Sequence, residues 1–146
     1  MMRLYTIGFT KKNAERFFTL LRDAGVRRVL DIRLNNTSQL AGFAKRDDLA
    51  FFLDAIGDID YVELPALAPT EEIMDAYKHK ASDWETFRAA YLALLADRAV
   101  AGSLSREALD RACLLCSEET PDHCHRRLAA DYLAAHFGEI EVTHLI

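Results

Sequence analysis

Twelve consecutive residues, Cys116 to Arg127 (CSEETPDHCHRR), hold two cysteines, two histidines, two arginines and three carboxylates. Each of these types can do chemistry. A thiol at a helix N-terminus, or beside His or Arg, has its pKa drawn down to roughly 3.5–7.5 and becomes a nucleophile, which makes Cys124 a candidate. His125 follows it and is read as the group that orients a ligand or attacks it. The guanidinium of Arg126 matches a phosphate or carboxylate through two parallel N–H bonds. Glu118 is a candidate general acid or base, partnered by Asp31 at the end of another apolar run, because neighbouring carboxylates can split their pKa values. The thiol-phosphatase spacing His-Cys-x5-Arg calls for arginine at position 130, and Ala130 stands there instead.

Cys116, His123, Cys124 and His125 also carry donor atoms suited to zinc. The spacing lacks the C-x2-C and H-x3-H pairs of common structural sites. Cys116 with Cys124 and one histidine would close a site only if the intervening turn folds back. Cys113 and Cys116, inside the apolar run CLLC, read first as core, Cys113 especially.

These residues need elements to position them. Cys113 to Cys116 reads as a buried strand. Pro121 suits the first position of a helix, with Thr120 as its N-cap. That arrangement puts Cys116 and Glu118 near a strand end and Cys124 to Arg126 in the first turn of the next helix, the place where α/β proteins bind ligands. Upstream, Leu4 to Phe9 reads as the first strand. Phe17, Leu20, Leu21 and Ala24 are spaced as one face of a helix stopped by Gly25. Val26 to Ile32 is a second strand, with Asp31 and Arg33 at its exit. Leu49, Phe52, Leu53 and Ile56 mark a helix closed by Gly57, and Tyr61 to Leu64 a third strand. Thr70 caps a short helix. Ser82 and Glu85 form a capping box before a longer one, in which Trp84, Phe87, Tyr91, Leu94 and Leu95 form a core face. Ser105 caps another short helix, a final helix runs on from Leu128, and Ile140 to Ile146 closes the chain as a strand.

The alternation predicts a single α/β domain over residues 1–146, with a mostly parallel sheet of about five strands and helices on both faces. Right-handed crossovers bring the strand ends to one edge. There Thr6, Gly8, Arg33, Cys116 and Arg126 would contact a ligand, with Glu63 nearby and the loop residues Ser38, Phe43 and Lys45 closing over it. Two acids at the same helix start, Glu119 and Asp122, would compete with an anion for that end.

At 146 residues and 51% hydrophobic, the chain has mass for one core. A net charge of −5 does not favour a nucleic-acid-coating surface, which needs a broad basic field, although it leaves room for a local basic pocket. Three cysteines without framework spacing suggest a reducing, cytoplasmic setting. No signal peptide or membrane span is read, and no cofactor motif is identified.

Taken together, Thr6-Ile7-Gly8, Asp31-Ile32-Arg33 and C-S-E-x2-P-x2-C-H-R from Cys116 to Arg126 resemble the bacterial and archaeal domain-of-unknown-function 488 family. The Ser38…Gly42-Phe43 loop, Tyr61…Pro65, Trp84…Phe87…Tyr91 and Val142-Thr143-His144 extend the resemblance along the chain. It implies a compact α/β domain and names no reaction. The chain departs from a common form of the family's pattern at Asn36-Thr37-Ser38, where many members carry Pro and Arg around the serine. It departs again at Leu67-Ala68-Pro69, where many have Leu-Gly-Gly. Three readings follow: an enzyme acting on a small phosphorylated or nucleotide-like ligand, a non-catalytic nucleic-acid or nucleotide-binding module, and a fold with a structural Cys/His metal site. The first is preferred, with a small anionic ligand as its partner.

Overall fold

The computed structural model describes residues 1–37, 42–79, 83–118 and 121–146. Five strands form one sheet: β1 (Met2–Gly8), β2 (Arg28–Asp31), β3 (Asp60–Glu63), β4 (Ala112–Cys116) and β5 (Ile140–Leu145). All pairings are parallel and the order is β3-β2-β4-β1-β5. Among the described residues the α-helices are α1 (Ala14–Ala24), α2 (Arg46–Gly57), α3 (Glu71–Lys78), α4 (Trp84–Arg98), α5 (Arg106–Leu109) and α6 (His125–Phe137). The expected α/β domain with helices on both faces is what the chain forms. No helix among the described residues is long and apolar enough to cross a membrane.

Strand residues alternate between two cores, as the pleat requires. Leu4, Leu30, Ala112 and Leu114 pack with Tyr91 and Leu95 of α4 and Leu128 and Leu133 of α6. Tyr5, Ile7, Val29, Cys113 and Leu115 pack on the other face with Phe17 and Leu21 of α1 and Leu49 and Leu53 of α2. The same parity sends Thr6, Gly8 and Cys116 toward α6, and Asp31 and Arg33 toward α2.

Helix ends follow local chemistry. Gly25 closes α1 at φ 76°, the left-handed region that glycine enters without penalty. Thr70 and Ser105 cap α3 and α5 as expected, accepting from Ile73 N and Ala108 N. Three ends differ from the sequence reading. Gly57 is the last residue of α2 rather than its stop, and Asp58 takes the left-handed position. Asp83 caps α4, accepting from Thr86 N, in place of Ser82, which lies outside the described residues.

The third difference shapes the site. The helix expected from Pro121 begins only at His125, with Cys124 as an extended N-cap. Residues 121–124 form a turn closed by Cys124 N donating to Pro121 O at 3.2 Å. His123 sits in the turn at φ 53°, which a helix cannot run through. Its ring stacks on Trp84, centroids 4.9 Å apart and planes 25° apart, so a contact from α4 supports a strained backbone.

Candidate active site

The sheet order opens a crevice in one place. β2 leads through α2 to β3 at one edge, whereas β4 leads through α6 to β5 at the other. β2 and β4 are neighbours, so chain leaves their carboxyl ends in opposite directions and on opposite faces. Such a switch point is where open α/β sheets bind ligands. A cleft of about 460 Å³ lies there, within the common range for small-molecule sites. Arg33, Leu34 and Asn35 leave β2 along one wall, and Cys116, Ser117 and Glu118 leave β4 along another. Met74, Tyr77 and Lys78 of α3 and Phe87 of α4 line a third side, and His123, Cys124 and His125 complete it.

The turn does fold back. It returns the chain so that Cys116 and Cys124 are joined sulfur to sulfur, from Cα atoms 7.6 Å apart. His125 Nδ1 lies 3.7 Å from Cys116 Sγ, while its Nε2 donates to the carbonyl of Ile32 at 2.8 Å. A carbonyl only accepts, so the proton sits on Nε2 and the Nδ1 lone pair faces the sulfurs. Burial pushes this imidazole down to about 4, which keeps it neutral at pH 7. All three side chains are buried. Cys116 is therefore part of the cluster as well as the end of a core strand. Cys113 points to the other face and is wholly buried, and burial pushes its thiol well up.

Arg126 is placed differently from a ligand contact. It is fully buried behind the cleft wall, with Nε donating to Thr6 Oγ1 at 3.2 Å and Nη1 to the Glu118 carbonyl at 2.6 Å. Nη1 also lies 3.9 Å from Cys124 Sγ. Burial pulls the guanidinium down to about 10, with Cys113 and Glu118 opposing. Thr6 in turn meets Nδ1 of His144 on β5 at 2.6 Å, a partner that carries part of the family resemblance in the sequence but was assigned no role there. Gly8 makes room for this arrangement. A Cβ there would collide with the Glu118 backbone oxygen and stand 2.7 Å from Arg126 Nη1. Thr6 and Gly8 thus hold Arg126 and the β4 exit in place and do not line the cleft.

Asp31 and Glu118 are not brought together as an acid/base pair. Parity turns Asp31 to the α2 face, where its carboxylate accepts from Arg33 Nε at 2.9 Å, Arg33 Nη2 at 2.8 Å and Tyr61 OH at 2.5 Å. Arg33 Nη1 donates to the Ala44 carbonyl at 2.7 Å, and the guanidinium lies over the Phe9 ring. Beside Asp31, and partly withdrawn from water, the Tyr61 phenol is held well above its ordinary range, burial being the larger cause. Glu118 is exposed on the cleft wall. Lys45 is the exposed N-cap residue of α2 and does not line the cleft, Glu63 pairs with Arg46 and Asn36, and Ser38 lies outside the described residues.

A family model described as Domain of unknown function DUF488 matches residues 13–133. The chain belongs to the DUF488 family. The matched DUF488 stretch carries both walls of the cleft and the whole Cys116–Cys124–His125 cluster, while Thr6, Gly8 and His144 lie on strands outside it. No curated protein and no solved structure matches the chain. The DUF488 description names no reaction.

The α3 side of the cleft has no counterpart in the sequence reading. Tyr77 packs against Trp84 at 5.7 Å and Phe87 at 5.1 Å, and Trp84 stacks on Phe87 at 5.4 Å. The face read as core thus continues to the cleft rim, and Lys78 adds a cation there. A lysine at the end of α3 becomes a site residue only when the strand order puts α3 over the β2–β4 gap.

Proposed function

We propose that this DUF488 domain is an enzyme acting on a small phosphorylated or nucleotide-like molecule bound in the β2–β4 cleft. The observation that carries the reading is a buried Cys116–Cys124–His125 cluster opening onto a cleft that also holds cationic and aromatic walls. Folding alone does not call for two sulfurs and an oriented imidazole lone pair at a switch point.

Lys78 supplies positive charge at the rim, whereas the Arg33 guanidinium is neutralised by Asp31 behind it, and the N-terminus of the 13-residue α6 adds a partial positive end facing the same space. Tyr77 and Phe87 offer an apolar, aromatic surface for a planar group. Glu118 is the carboxylate available for proton transfer, since Asp31 is committed to Arg33 and Tyr61. Arg126 serves as a positioning residue: it ties the β4 exit to α6 and so fixes Cys124 relative to Cys116.

The test is a thermal-shift screen of the reduced protein against mononucleotides and phosphorylated sugars, with Lys78→Ala and Glu118→Gln alongside. A ligand at about 100 times its Kd adds roughly 2.7 kcal/mol. For a domain of this size that raises the melting temperature by roughly 5 °C or more. The expected result is such a shift in the wild type, lost in Lys78→Ala and retained in Glu118→Gln. Silence from every ligand with an intact fold overturns the reading.

A further inference from the structure

We propose that Cys116 Sγ, Cys124 Sγ and His125 Nδ1 bind a zinc ion, leaving its fourth coordination position open to the cleft. The role given to the ion rests on reading the cleft as an active site. Its binding does not.

The donors are already gathered. The three atoms lie within 4.8 Å of one another, and the His125–Cys116 pair is 3.7 Å apart. Bonds of roughly 2.3 Å to sulfur and 2.0–2.1 Å to nitrogen in a tetrahedron put donors about 3.5–3.8 Å from each other. An entering ion takes the two sulfurs to either side of itself. The backbone allows this, because the cysteine Cα atoms are 7.6 Å apart, whereas directly bonded cysteines usually span about 4.4–6.8 Å.

The surroundings match a metal site in two further ways. A ligating histidine generally donates its other N–H to a carbonyl or carboxylate, which fixes the tautomer. His125 does this with Ile32, from the far side of the ring. Binding also resolves a charge problem. Two buried thiolates are costly alone, but with a dication they form a neutral unit. The Arg126 guanidinium beside Cys124 and the N-terminus of α6 favour the thiolate form. A thiol or phosphine reductant first opens the Cys116–Cys124 pair with two electrons and two protons, and binding to the reduced form then releases one proton from each thiol to solvent.

The donor set selects the ion and its use. Two thiolates with one imidazole favour zinc over the hard cations magnesium and calcium. Three protein ligands are the mark of a catalytic zinc, where water or a substrate atom takes the fourth place. Zinc brings a bound water's pKa near 7, and Glu118, two residues past Cys116 on the same wall, is the carboxylate suited to accept its proton.

The experiment uses the full chain, reduced with a phosphine in metal-free buffer and titrated with Co2+ as a spectroscopic substitute for zinc. The expected result is one Co2+ per chain, with the strong visible bands of a tetrahedral site and a sulfur-to-cobalt charge-transfer band. Excess zinc should erase both. The bands should persist in Cys113→Ala and be lost in Cys124→Ser. A readout free of substitutions runs beside it: zinc should protect Cys116 and Cys124 from iodoacetamide, mapped by peptide mass spectrometry. A reduced, folded chain that takes up no Co2+ overturns the proposal. So does an ion that leaves Cys116 and Cys124 open to alkylation. Repeating the ligand screen on zinc-free and zinc-loaded protein separates the two claims. An ion without any ligand response retains the zinc site and removes the enzyme reading; a ligand response without an ion does the reverse.

Discussion

His125 donates its Nε2 proton to the Ile32 carbonyl across 2.8 Å, and that single bond decides which nitrogen looks at Cys116 and Cys124. The bond links the first turn of α6 to the end of β2, so the strand on one side of the cleft orients the reactive group on the other. His125→Gln can keep a donor near the Nε2 position while removing the Nδ1 lone pair. It should fold, lose Co2+ binding and cost under about 1.5 kcal/mol. His125→Ala leaves a buried carbonyl unpaired and a void, and should cost about 2–4 kcal/mol in urea unfolding. Equal costs for the two variants would show that the Ile32 bond does not position the ring.

The same imidazole gives metal-free protein a pH signature. Its folded pKa, about 4, lies below the unfolded value of 6.5, so the unfolded chain binds the proton first as pH falls. Stability from this group is complete above about pH 6.5 and is lost on the way down to about pH 4, by up to about 3 kcal/mol. His144 is also held below its ordinary value, by burial first and by Arg126 and Arg127 next, and contributes with the same sign. Urea titrations at pH 7.5 and pH 5, wild type against His125→Gln, measure it. The wild type should lose more stability than the variant over that interval.

Gly8 should not accept a methyl group. The nearest atoms to a new Cβ are backbone atoms of Glu118, which cannot rotate aside, and the guanidinium of Arg126. Gly8→Ala is expected to cost about 1–3 kcal/mol, as overpacked sites do. Because the displaced segment carries Cys116 toward Cys124, cobalt affinity should fall with it. A variant as stable as wild type would mean that the β4 exit is softer than described.

Asp31 and Arg33 form a buried pair whose side chains are 0% and 2% exposed. Removing one partner strands the other charge, so Asp31→Asn should cost about 3–5 kcal/mol. Tyr61→Phe removes one of the carboxylate's three side-chain contacts and should cost about 1–2 kcal/mol. Circular dichroism melts of both variants check the order. Should Asp31→Asn be the milder change, the pair is not the anchor of the β2 exit.

Much of this was legible in the chain. Strand and helix alternate visibly, the CLLC run is a central strand, and Gly25, Thr70 and Ser105 mark helix ends by chemistry local to a few residues. The late start of α6 was not. Pro121 fits a first helical position on its own, but His123 enters the left-handed region within reach of Trp84, 39 positions earlier. Arg126 likewise gave no sign that it turns inward, because its partner Thr6 and the Gly8 that makes room for it lie at the other end of the sequence. The cysteine cluster escaped spacing rules since its ligands come from a strand end and a helix cap instead of one tight loop. Parity along β2 and β4 would have separated Asp31 from Cys116, once the two strands were known to be neighbours.

The placement of β4 between β2 and β1 bears on how the molecule is made. β1 and β2 do not touch as strands; β4 joins them, and it lies more than a hundred residues after β1 begins. Until residues 112–116 emerge during synthesis, the growing chain holds β2–β3 as a two-strand fragment and β1 without a neighbour. Such long-range pairing slows folding, since the loop must close before any contact rewards it. The strand that joins β1 to β2 also delivers Cys116. Insertion of β4 and assembly of the reactive corner are therefore linked, and a chain folded without β4 carries neither the cleft nor its cluster of sulfurs and imidazole.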